Sequence, residues 1–237
     1  MKFLLRKGID RLHKKDTWKT SAYAFVPYQT HFGELCGFAD DIVGAGQGFG
    51  LHPHQNMEIS TIVIAGAQAH KDNTGSEGIV NKNCVQTMSA GTGIMHSEYN
   101  ASETEPFHSY QIWVYPKLID VKPRHEQFIY HPNEKLNKIL LAISPDKRQN
   151  SAAINQDTFF SLLELEKDKS ITYKMNINGN GVYIHNVEGK AMIENNEINK
   201  GDAIGIYETT ELKIKAEVNT HLIFVEVPME RGIKINA

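Results

Sequence analysis

Nine short runs of alternating or continuous β-branched and apolar residues constrain this chain more than any other feature. They lie at 58–64, 111–115, 138–143, 159–165, 181–186, 190–193, 203–206, 211–214 and 220–227. Gly, Asn and Asp bound many of them, as they bound the short strands of a sandwich or barrel. No segment carries a long helical period, and a short helix is expected only near 133–138 or at the C-terminus. The pattern predicts an all-β fold.

Two stretches share one layout. The run Ile62-Val63-Ile64-Ala65 ends at Gly66, and polar Asp72-Asn73 follows in a hairpin turn. The run Val182-Tyr183-Ile184 leads through Val187-Glu188 to Gly189, and Lys190-Ala191-Met192-Ile193 continues to the turn Asn195-Asn196. In both, the second asparagine of the turn or its counterpart stands seven positions after the glycine. This predicts two copies of one β-barrel unit. The expected units are 1–125 and 126–237, joined near 122–132, with a single elongated β domain as the alternative.

Two strings point to chemistry: His52-Pro53-His54 and His96-Ser97-Glu98. Each places two metal-binding side chains at i and i+2, which on a strand face the same way. Brought together, they would surround one cation with three imidazoles and a carboxylate, a site for iron, nickel, cobalt, manganese, copper or zinc. Each string follows glycine-rich sequence, Gly44-Ala45-Gly46-Gln47-Gly48-Phe49-Gly50 and Ser89-Ala90-Gly91-Thr92-Gly93. Without a following helix the first is no dinucleotide fingerprint. It reads as a bend that lets backbone pass close to a site. Pro53 removes a ladder donor, so its strand is expected at a sheet edge.

Other histidines read more plainly. His13, His31, His108, His125, His131 and His221 are expected to be surface or hydrogen-bonded residues, and His70, in a polar hairpin, to be exposed. His185 has no His-x-His or His-x-Glu partner, so the second barrel is expected to bind no metal.

With His52, His54 and Glu58 as His-x-His-x3-Glu, and Gly91, His96 and Asn100 as Gly-x4-His-x3-Asn, the chain resembles a cupin. Within cupins it resembles the pirin family, most densely from Gly46 to Gln111, and its order is similar to that of bacterial pirin-like quercetin dioxygenases. The resemblance implies a bicupin of two jelly-roll barrels, the N-terminal one metal-binding and the C-terminal one degenerate. The implied ligands are His52, His54, His96 and Glu98. General cupins take their carboxylate instead from the position of Glu58. On a straight strand Glu58 would lie ~13 Å from His54, which favours Glu98 unless the strand bulges.

The implied cofactor is one divalent ion, Fe(II) first, and the implied reaction opens the flavonol heterocycle with O2, releasing carbon monoxide and forming a depside. Glu98 would complete the shell and act as general base toward the 3-hydroxyl. Glu58 is a candidate to support the ligands, and Asn100 to bond a ligand histidine. Met57, Met95, Phe49 and Trp113 are candidates to line a cavity, with core packing as the plainer reading. The aromatic-histidine segment usual in pirins stands here as Ser21-Ala22-Tyr23-Ala24-Phe25, without its histidine, so the pocket rim is expected to differ.

The resemblance also implies a second function class with the same shell: a pirin-type redox-responsive regulator whose metal state alters a protein-binding surface. A cupin-type sugar-phosphate isomerase fits less well, because no Arg/Lys cluster accompanies the histidine strings. The net charge of −3 gives no reason to expect nucleic-acid binding, and the basic residues before Thr20 read as a solvated edge. No apolar stretch reaches the ~18–20 residues that span a bilayer, and no secretory signal is visible. Only two cysteines, Cys36 and Cys84, occur, which favours a reducing cytoplasm.

Overall fold

The structure, a computed structural model, describes residues 1–235. The described residues form four sheets, one of nine strands, one of seven and two of four. Nearly all pairs are antiparallel; the short strand Ala152–Ala153, which runs parallel to Leu140–Ser144, is an exception. The runs expected at 159–165, 190–193 and 220–227 form the strands Phe159–Leu165, Lys190–Ile193 and Thr220–Val227. The helix expected near 133–138 is instead a single 3-10 turn, Pro132–Glu134, capped by His131. Near the C-terminus the described residues form a short strand, Ile233–Lys234, rather than a helix. Among the described residues, no helix is long and apolar enough to cross a membrane.

The sheets stack in four layers. The two large sheets face each other across the largest apolar cluster. There Phe38, Ile62, Tyr110 and Ile112 of the first half meet Phe160, Leu162, Ile223 and Val225 of the second. Each large sheet covers a small sheet on its other face. In the first half, Val80 of the small sheet packs with Val43, Val63 and Phe107. In the second, Leu212 and Ile214 pack with Ile184, Leu222 and Phe224. A strand buried on both faces reads as a continuous apolar run rather than an alternating one. Accordingly, burial is nearly continuous along Glu58–Ala65 and Thr220–Val227, and the apolar runs at 62–65 and 222–225 do not alternate.

The repeat seen in sequence is a repeat of topology. The small sheet of the first half runs Gly48–His54, Ile94–Asn100, Ala67–Asp72, Glu77–Asn81. That of the second runs Ser170–Lys174, Glu211–Ala216, Lys190–Ile193, Asn196–Asn199. Gly66 and Gly189 hold equivalent corners between large and small sheets, at φ 73° and 88°, a left-handed conformation that glycine adopts freely.

The chain ends cross between halves. The strand Lys2–Arg6 pairs with Ala203–Tyr207 of the second half, and Ile233–Lys234 pairs with His31–Phe32 of the first. The strand Arg124–Ile129 pairs with Cys84–Ser89 of the first half.

Candidate metal centre

The strand Gly48–His54 lies at the edge of its small sheet, where the missing donor of Pro53 costs no ladder bond. Its neighbour Ile94–Asn100 sets His96 directly opposite His52. On the other side of that neighbour, Ala67–Asp72 sets His70 opposite Glu98 and Asp72 opposite His96. Because strand residues alternate, these side chains share the face turned into the barrel. A register shift falls between His96 and Glu98, where three steps of the edge strand oppose two of its neighbour. Gly48 lies just past this irregularity, opposite Tyr99, and a β-carbon there would collide with the backbone of Glu98 and Tyr99. The glycine-rich approach therefore serves close passage of backbone.

The rings of His52, His54 and His96 converge, with centroids 4.4–4.9 Å apart. One ligand atom from each lies within 4.8 Å of the others. Glu98 approaches the group through His96: it forms a second cluster of the same span with His96 and His70. The Nδ1 of His52 donates to the carbonyl of Gly50 at 2.7 Å, leaving Nε2 free for an ion. His96 is fully buried, and neither of its ring nitrogens finds a hydrogen-bond partner. Two orphaned buried imidazole nitrogens are costly unless something coordinates them. Burial, reinforced by the neighbouring imidazoles, lowers the pKa of His54 to about 4 and that of His96 to about 3. Both are thus neutral at pH 7, the form that binds metal. The donor set fits a divalent cation.

Glu98 is buried and held from both sides. The amide of Gln68 donates to Oε1 at 2.7 Å and that of Gln111 to Oε2 at 2.8 Å. The Trp113 indole donates to Gln111 at 3.0 Å and so orients that amide. Burial pushes the Glu98 carboxyl above its ordinary range, against the opposing effect of nearby His70 and the two amides. A cavity of about 250 Å³ opens beside these residues, with Phe49, Trp113, Phe25 and Tyr23 in its walls.

The other candidates fall elsewhere. Glu58 is buried, but Ser89 donates to it at 2.6 Å and the Asn155 amide N–H at 3.0 Å, so it ties the first half to the second. Asn100 donates to the carbonyls of Val43, Gly44 and Glu105, and so clamps a loop instead of bonding a histidine. Phe49 and Trp113 line the cavity, whereas Met57 packs in the core with Cys36 and Ile59, and Met95 lines a separate surface pocket.

His70 is not exposed, as its polar hairpin suggested. It is buried, its Nε2 lies 3.1 Å from Asp72, and its ring stacks on His125 at 4.4 Å. The signal that could have found it is the alternation Gln68, His70, Asp72, three polar residues on one strand face. Gln111 had no such signal, since only the fold brings it to Glu98.

Residues 7–114 match the family model described as Pirin, and residues 141–227 one described as quercetinase C-terminal cupin domain. A quercetin 2,3-dioxygenase of Escherichia coli (strain K12) is 35% identical over 94% of this chain and 98% of that relative. The chain belongs to the pirin family. Among solved structures, the bacterial pirin YhhW in complex with nickel(II), from Escherichia coli, superposes with a TM-score of 0.89. It is 34% identical, covering 96% of this chain and 99% of that one. GK1651 from Geobacillus kaustophilus, at 19% identity and TM-score 0.80, covers 96% of each chain and shares the pirin fold. The two cupin-type units of this pirin correspond to the two stacked sheet pairs.

Proposed function

We propose that this pirin is a dioxygenase that opens the heterocycle of a flavonol such as quercetin with O2. The observation that carries the reading is the convergence of three imidazoles beside a buried carboxylate, next to an aromatic cavity. His52, His54 and His96 would hold one divalent ion, with Glu98 as the fourth ligand; Fe(II) is our first choice, and the nickel found in a relative is the chief rival. The ion would supply positive charge that stabilises the deprotonated substrate, and the redox chemistry dioxygen requires.

The chain's own residues supply the rest. Glu98 takes the proton from the acidic 3-hydroxyl of the substrate, and its raised pKa suits that transfer. Gln68 and Gln111 hold the carboxylate during the transfer and limit its swing. Trp113 and Phe49 exclude water and sandwich the planar ring system. The second barrel takes no part in metal binding: the inward positions of its small sheet carry Ala191, Ile193, Leu212 and Ile214 in place of ligands. Two free, buried cysteines agree with a cytoplasmic enzyme.

The test is direct. Metal-loaded protein is mixed aerobically with quercetin, and loss of the flavonol absorbance is followed alongside carbon monoxide release. His52→Ala is expected to lose the metal and all turnover. Glu98→Gln is expected to keep metal while turnover falls by ~10²–10⁴-fold, the usual contribution of a general base. Stoichiometric metal in His52→Ala would remove the site, and full turnover by Glu98→Gln would remove the base.

A further inference from the structure

The cavity has a second polar end that the proposed reaction does not use. Lys19, Tyr23 and Asp41 line it together with His52, His54 and Glu98. The Lys19 side chain is only 11% exposed, and its Nζ donates to the Tyr23 hydroxyl at 3.2 Å. Asp41 lies 3.6 Å away, beyond good hydrogen-bonding distance, and is itself engaged by the Ser21 hydroxyl. Three aromatic faces surround the ammonium, with ring centres at 4.8 Å (Phe49), 5.4 Å (Trp18) and 5.8 Å (Tyr23). An ammonium has three donors. Tyr23 takes one, Asp41 attracts another at long range, and Nζ has no further acceptor among the described residues. A nearly buried cation with a loosely held counter-ion and a spare donor is an incomplete site.

The geometry also bounds the separation of the two ends. The Phe49 ring lies 4.8 Å from Nζ and 6.5 Å from the His52 ring. One aromatic side chain is thus shared by the ammonium and the imidazoles, and the two ends lie close enough for a single fused ring system to reach both. The cavity, at about 250 Å³, falls below the roughly 300–1,000 Å³ of most small-molecule pockets. It suits a planar bicycle, with any pendant ring left at the mouth.

The geometry points to a binding subsite at Lys19 and Tyr23 for an acidic phenolic oxygen on the fused ring, at the end of the substrate remote from the enol. This rests on the dioxygenase reading of the neighbouring imidazoles. The substrate class narrows to enol-bearing aromatic bicycles with a distal phenol. Lys19 binds its oxygen by a charge-assisted hydrogen bond, and Tyr23 holds Lys19 in place. Both are specificity residues and take no part in ring opening.

The test compares quercetin with 3-hydroxyflavone, which keeps the enol and carbonyl but lacks the distal phenols and the hydroxyls of the pendant ring; the part of the preference that depends on Lys19 belongs to the subsite. Binding is read anaerobically on metal-loaded protein by quenching of tryptophan fluorescence, and kcat and KM are then read in air. Wild type is expected to prefer quercetin by roughly tenfold, the size of one hydrogen bond to a charged group. Lys19→Met should bring that ratio close to one by raising Kd and KM for quercetin more than by lowering kcat, and Lys19→Arg should restore most of it. Tyr23→Phe, which keeps the ring, covers the case in which Lys19→Met fails to fold, and should lower the ratio partway. A ratio near one in wild type, or a ratio unchanged in both Lys19→Met and Tyr23→Phe, overturns the subsite. If neither compound is opened in air while the anaerobic preference depends on Lys19, the dioxygenase reading fails and the subsite stands.

Discussion

His96 is where the chemistry of single residues is most exposed. Its ring is buried, its two nitrogens are unpartnered, and its pKa is driven down by burial. Each fact alone would be unfavourable for a core residue, and together they describe a ligand waiting for a cation. The two glutamates show how environment separates like side chains. Glu98 is gripped by two amides beside the imidazoles, whereas Glu58 is gripped by Ser89 and the Asn155 backbone. Glu58→Gln should therefore keep a full equivalent of metal. It should destabilise the protein by about 1–3 kcal/mol, because one buried donor loses its charged acceptor. Metal analysis with thermal unfolding checks both parts; loss of metal with unchanged stability would return Glu58 to the ligand set.

At the scale of elements, the site depends on an irregular strand pair. Regular pairing would carry the edge strand past Glu98 in step, but the register shift between His96 and Glu98 lets Phe49 stand opposite the carboxylate. Gly48 makes this approach feasible, since a β-carbon would overlap the backbone of the neighbouring strand. Gly48→Ala should force the two strands apart, destabilising the protein by about 1–3 kcal/mol, in the range of overpacking. Metal affinity should fall as well, because His52 and His54 lie on the displaced strand. A calorimetric metal titration of Gly48→Ala with wild-type affinity would show that the edge strand does not need this contact.

At the scale of the whole molecule, the halves are joined by the large apolar cluster and by buried polar links across it. One link is His185 Nε2 at 3.1 Å from the Tyr110 hydroxyl. Burial lowers the pKa of His185 and of His221 to about 3. The unfolded chain, with histidine near 6.5, then binds protons that the folded chain refuses. Their contribution to stability is present above pH 6.5 and is lost progressively as pH falls toward 3. Each removes roughly 1.4 kcal/mol per pH unit within that window. Metal-free protein should therefore show a falling Tm between pH 7 and pH 5; a flat profile would mean that these rings protonate in the folded state. The joint expected at 125/126 falls in the interval between the two family matches, 7–114 and 141–227. We propose that interval as the division between units, although Arg124–Ile129 still pairs with the first sheet.

The sequence by itself determined the all-β class, the repeat and the histidine strings, because each is a local signal. Strand alternation needs only neighbours, a corner glycine needs only its own φ, and i, i+2 ligands need only one strand. Even the edge position followed from the single missing donor of Pro53. Tertiary structure alone decided which polar groups join those histidines. His70 was hidden by a hairpin that looks solvated, and Gln68 and Gln111 meet on Glu98 from strands in different sheets. Lys19 enters the cavity wall from a strand whose sequence reads as basic surface. The physical reason is that burial and charge compensation depend on what packs overhead, and the chain brings those partners from distant positions.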